Sequence, residues 1–137
     1  MRFSRVFCFA IMVSLVVQPV MAAKEATNVF ATPGYVPTEK DERGLWMQAE
    51  EAERELKKST FVIRDPQLNA YVRKVFCKTV TEDACKDVRI YLTRTAAFNA
   101  MMAPNGMMIV WSGLLLRTRN EAQFAAVLAH EYTHYRN

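Results

Sequence analysis

From about residue 38 onward, apolar residues recur first at a helical spacing and then at an alternating one. Over 38–58 Leu45, Trp46, Ala49, Ala52 and Leu56 fall on one stripe of a helix. Thr38 offers the N-cap, with Asp41 three residues on. The acidic block Glu50, Glu51, Glu53 and Glu55 precedes Lys57 and Lys58, the order that suits the helix dipole, and reads as a solvated face. A second helix starts at Asp65, a cap followed by Pro66 at the first helical position, and carries Leu68, Tyr71, Val72, Val75 and Phe76 at helical spacing. The period then drops to two. Val88, Ile90 and Leu92 alternate with Arg89, Tyr91 and Thr93, which predicts a half-buried strand. Met101-Met102 and Met107 to Trp111 predict the arms of a hairpin around Pro104-Asn105-Gly106, and Asn-Gly favours a primed turn. The methionines read as gap-filling core residues. Gly113 to Arg117 is a short connector of about one helical turn. A last helix, EAQFAAVLAHEYTHYRN, begins at a capping box made by Thr118 with Glu121 or by Asn120 with Gln123. Phe124 to Ala129 is apolar all round, so this helix is expected to be buried.

The N-terminus follows a different pattern. Arg2 and Arg5 precede a run from Val6 to Val17 that is apolar apart from Ser14, Pro19 breaks it, and Val20-Met21-Ala22 or Met21-Ala22-Ala23 offers a small-residue cleavage site. That is the form of a secretory signal peptide, residues 1–23, with an uncleaved anchor as the alternative. The run is 12 residues long, short of the roughly 20 that a membrane span needs. Residues 24–37 read as an extended mature N-terminus and 38–137 as one domain. The formal charge of +4 falls to +2 once Arg2 and Arg5 leave with the signal. No basic run remains, which argues against nucleic acid as a partner. The expected location is periplasmic or secreted, with membrane association left open but no span after cleavage. In that oxidising setting Cys77 and Cys85 are expected to pair, with two free thiols as the alternative. The short loop would contribute roughly 2.6 kcal/mol in the chain-entropy view.

Chemistry concentrates at the end of the last helix, in His130-Glu131-Tyr132-Thr133-His134. On a helix His134 lies about 40° round from His130 and Glu131 about 100° round. Two imidazoles one turn apart can share one Zn2+, and a carboxylate beside them can serve as general base for a zinc-activated water. Two histidines and a glutamate continuing a buried helix would be costly without partners, and a metal ion removes that cost. The bland alternative is an ordinary helix end with both imidazoles bonded to backbone.

The stretch FNAMMAPNGMMIVWSGLLLRTRNEAQFAAVLAHEYTH resembles zinc metallopeptidases of the HtpX and CAAX-prenyl-protease type, metallopeptidase family forty-eight. Asn99-Ala100, Pro104-x-Gly106, Ser112-Gly113-Leu114-Leu115, Asn120-Glu121 with Ala125 to Ala129, and the zinc motif carry the likeness, which extends back to about Asp65. The resemblance implies an α+β, zincin-like (gluzincin) N-terminal half: helices, a small sheet with a hairpin edge strand, and a buried active-site helix. It implies one Zn2+ per chain on His130 and His134, with Glu131 as catalytic base. Met108, Ile109, Val110 and Trp111 would bind protein or peptide substrates by strand addition. With a signal peptide, the soluble periplasmic branch linked to envelope protein quality control is the expected one. Thr133 departs from the small residue usual before the second histidine and could crowd a neighbouring strand. The family's third ligand, a Glu on a later helix, falls beyond residue 137, so the domain is expected to be truncated. The function expected is a zinc metalloendopeptidase acting on misfolded envelope proteins. The alternatives are a non-catalytic, chaperone-like binding module that keeps the fold, and a small secreted helical domain whose motif is accidental.

Overall fold

A computed structural model describes residues 35–136. The signal peptide expected at 1–23, and most of the extended N-terminus, lie outside those residues. Eight elements follow in order: α1 (Lys40–Lys58), α2 (Pro66–Cys77), α3 (Glu82–Asp87), β1 (Arg89–Thr93), β2 (Ala100–Met102), β3 (Met107–Trp111), α4 (Ser112–Arg117) and α5 (Glu121–Arg136). The protein is therefore α+β, with a three-stranded sheet in the order β1-β3-β2. β1 runs parallel to β3, with Arg89 opposite Met107 and Thr93 opposite Trp111. β2 runs antiparallel to β3, with Met101 opposite Ile109.

The period-two alternation decides which helix covers which face. Val88, Leu92, Ala100, Met108 and Val110 join Val72, Val75 and Phe76 of α2, Leu114 of α4, and Phe124 and Leu128 of α5 in the main core. The opposite face, through Tyr91, Met107 and Ile109, meets Ala49 and Leu56 of α1. The sheet is thus the middle of three layers. Met107 and Met108 are buried, as gap-filling residues should be.

Most local signals act as the chain predicts. Asp65 accepts from the Leu68 N–H at 2.8 Å. Asn120 accepts from the Gln123 N–H at 2.9 Å and Gln123 accepts from the Arg119 N–H at 2.9 Å, so this pair caps α5. Thr118 instead donates to the Leu115 carbonyl. α1 starts one residue later than expected, with Glu39 at its cap and Glu42 reaching back to the Glu39 N–H. The hairpin turn closes with the Gly106 N–H donating to the Ala103 carbonyl. It is not a primed turn: Gly106 has φ +82°, but no non-glycine residue among those described has positive φ. Pro104 fixes its own φ negative, which selects a type I turn followed by a left-handed glycine. The alternation did not reveal α3, which Thr81 caps. Cys77 and Cys85 are disulfide-bonded and tie α2 to α3.

Three expectations are corrected. β3 is not an edge strand, because β1 pairs parallel on one side of it and β2 antiparallel on the other. The outer side of β1 is itself partly covered by the segment around Val62, so among the described residues β2 carries the open edge. α5 is not buried all round either: only Phe124 and Leu128 are buried, and Ala126, His130 and His134 are exposed. Alanine has too little apolar surface to force a face inward, so the run FAAVLA overstated the buried arc. The third correction concerns α1. Glu53, expected on a solvated face, is only 5% exposed.

That carboxylate is the polar centre of the fold. Arg89 binds it side-on, Nε to Oε1 at 2.7 Å and Nη2 to Oε2 at 2.8 Å. The Tyr91 hydroxyl donates to Oε1 at 2.7 Å and the Asn105 amide to Oε2 at 2.8 Å. Lys57 lies 3.3 Å from Oε1. Arg89 bonding, first, and the Tyr91 hydroxyl hold the Glu53 carboxyl down at about 2, against the upward push of burial. A group whose folded pKa is depressed stabilises the protein above its unfolded value and loses that contribution as pH falls through the folded one.

Between pH 4.5 and about 2 the folded protein should therefore lose about 3 kcal/mol from this group alone. Urea unfolding of wild type and Glu53→Gln across that window should show the variant destabilised at neutral pH and much less sensitive to acid. A second expectation concerns Gly113, where an added Cβ would overlap the carbonyl oxygens of Ala96 and Ala97. Gly113→Ala should cost about 3 kcal/mol in the same assay, whereas Gly44→Ala, in open space, should not destabilise.

Candidate metal centre

The site is built on the last two turns of α5. Phe124 and Leu128, four residues apart, anchor one stripe of the helix in the main core. Tyr71 of α2 stacks on Phe124 at 6.3 Å, and Tyr132 meets Phe76 edge-on at 5.8 Å. Lys78 and Glu121 pair across the start of the helix at 2.6 Å. With that stripe fixed, helical geometry turns His130 and His134 outward.

The two imidazoles meet. His130 Nε2 and His134 Nε2 are 2.9 Å apart, with the rings nearly perpendicular and their centroids 4.4 Å apart. Neither imidazole is bonded to a backbone group among the described residues, as the ordinary helix-end reading would require. Two nitrogens held tetrahedrally at zinc–imidazole bond lengths would be about 3.3 Å apart. The pair therefore needs to open by only a few tenths of an ångström to share one ion, and the donor chemistry fits zinc. Glu131 is half-buried beside them. Among the described residues no group of three His, Cys, Asp or Glu side chains is placed to hold a metal. The third ligand that the resemblance implies is therefore not among the residues described.

Thr133 turns out to crowd nothing. It is exposed, and its hydroxyl donates to the Ala129 carbonyl at 2.8 Å, inside its own helix. Burial pushes the phenols of Tyr132 and Tyr135 up, so both flank the histidines as neutral groups.

The residues expected to bind substrate are placed differently from the zinc motif. Met108 and Val110 are fully buried in the main core, and Ile109 and Trp111 are half-buried on the opposite face. None offers a free backbone edge. The strand that packs against α5 is β2. Asn99 accepts from the Trp111 N–H and Ala103 donates to Met107, so alternation turns the backbone groups of Ala100 and Met102 outward.

The profile of peptidase family M48 matches residues 64–137, more than half of the chain. The chain belongs to peptidase family M48. The match runs from just before the cap of α2 through the histidine pair. A Vibrio cholerae serotype O1 protein named "Putative beta-barrel assembly-enhancing protease" is 31% identical over 83 residues, 59% of this chain. The chain spans about one sixth of that relative's length, 17%. Membership of M48 supports a metallopeptidase role, in a family that is generally zinc-dependent. No helix among the described residues is long and apolar enough to cross a membrane.

Proposed function

We propose that this stretch carries the catalytic helix of a zinc-dependent metalloendopeptidase that hydrolyses peptide bonds of misfolded envelope proteins. The observation that carries the reading is the approach of two imidazole nitrogens to 2.9 Å, one turn apart, on the exposed side of the helix. His130 and His134 would hold one zinc ion, which when bound polarises and acidifies a water. Glu131 would serve as the general base for the attack on the peptide carbonyl and then return the proton to the departing amine. The open edge of β2, against α5, receives the substrate as an added strand. The outward backbone groups of Ala100 and Met102 hold its main chain in register. The tie between α2 and α3 suits an oxidising compartment, which supports a periplasmic or secreted setting for a chain with the signal described above. The name of the Vibrio relative, with its reference to assembly of beta-barrels, agrees with envelope substrates.

Two imidazoles alone hold zinc weakly, and a third protein ligand completes a catalytic set. Zinc uptake and casein cleavage measured on one preparation test the reading. Zinc should bind at one ion per chain and be lost when both histidines become alanine. With the third ligand supplied by the full-length protein, chelator-sensitive cleavage should drop about a hundredfold or more in Glu131→Gln with zinc uptake kept. Uptake that survives loss of both histidines, or cleavage untouched by Glu131→Gln, would contradict it. Casein binding with no zinc uptake would favour the non-catalytic module instead.

A further inference from the structure

Tyr135 directly follows the second histidine, and the reaction described above leaves it without a task. A Cβ placed on Gly106 would lie 3.5 Å from the Tyr135 hydroxyl, 3.7 Å from Arg89 Nη1 and 3.8 Å from the Asp87 carbonyl. The phenol therefore ends at the corner where the hairpin turn, the first residue of β1 and the end of α3 meet. That corner is fixed by other bonds. Gly106 is held in its left-handed conformation by the turn. Arg89 is engaged by Glu53 through Nε and Nη2, and Nη2 also donates to the Asn105 carbonyl at 2.8 Å. Side-on binding through Nε and Nη2 leaves Nη1 on the far edge of the guanidinium, and both Nη1 and the phenol hydroxyl lie beside Gly106.

The histidine pair spans the last turn of α5, where Tyr135 lies. Beyond Leu128, α5 is held by Tyr132 against Phe76 and by Tyr135 at this corner. Helix ends fray, because their last carbonyls lack partners within the helix. Fraying of the 131–135 turn would carry His134 away from His130.

We propose that Tyr135 is a positioning residue for the histidine pair: its hydroxyl docks at the Arg89–Gly106 corner and keeps the last turn of α5 closed. The α1–sheet hub at Glu53 thereby reaches the metal centre through Arg89. The inference rests on reading the pair as metal ligands, and its test is chosen to separate the two. The chain has only two histidines, so their ring protons give two sets of NMR signals. In the metal-free protein a ring-to-ring nuclear Overhauser effect between His130 and His134 should be present in wild type and in Tyr132→Phe. It should be weakened in Tyr135→Phe, with far-UV circular dichroism and melting temperature nearly unchanged. Zinc affinity should fall about tenfold in Tyr135→Phe and stay near wild type in Tyr132→Phe. Unchanged ring contacts in Tyr135→Phe overturn the proposal, as does a loss of contact matched by Tyr132→Phe. A wild type that takes no zinc but shows the ring-contact difference would overturn the metal reading and leave the positioning role standing.

Discussion

A buried carboxylate is the main polar tie between the first helix and the sheet. α1 gives the sheet only Ala49 as a buried apolar residue, with Leu56 half-buried beside it. What fixes it is Glu53, which reaches into the face of β1 and is met there by Arg89, Tyr91 and Asn105. A buried carboxylate without partners would cost several kcal/mol. With four hydrogen bonds to one pair of oxygens it becomes a clamp whose donors come from separate segments: β1 supplies Arg89 and Tyr91, and the hairpin turn supplies the Asn105 amide. The clamp therefore forms only on a correctly paired β1–β3–β2 sheet, and it ties the turn at Gly106 to the strand that begins at Arg89.

The zinc motif sits at the far end of the same connected structure. Phe124 and Leu128 set the rotation of α5, and that rotation brings the two imidazoles together on the open side. The anchors are apolar and lie on the inner stripe; the two histidines are polar and lie outside it. This division explains how a helix can be held firmly by one face and still present the histidine pair on another. β2 packs against the same helix, so in the proposed function the metal ligands, the base and the strand edge would lie on neighbouring backbone.

Much of this was legible in the chain, for identifiable reasons. Asp65-Pro66, Asn120 with Gln123, and the alternation of Val88, Ile90 and Leu92 act over a few residues, and the structure follows them. The His-x-x-x-His spacing brings its rings together by helical pitch alone. The misses involve partners distant in sequence. Glu53 looks like its exposed neighbours Glu51 and Glu55, and only Arg89, 36 residues away, distinguishes it. A signal was present in the supposedly solvent-facing side of β1, where Arg89 and Tyr91 place two hydrogen-bond donors on one face. The place of β3 in the sheet was hidden because a hairpin fixes one neighbour of a strand and says nothing of the other. Gly113 was counted as a connector, whereas the loop after β1 passes against its backbone. The all-round burial of α5 was overread from alanines, which tolerate either environment.

The central claim is that His130 and His134 hold one zinc ion between them. X-ray absorption at the zinc edge of the metal-loaded protein tests it most directly. The account predicts two imidazole nitrogens at about 2.0–2.1 Å, with one of them lost in His134→Ala. A zinc shell without imidazole scattering, or one unchanged by His134→Ala, would contradict it.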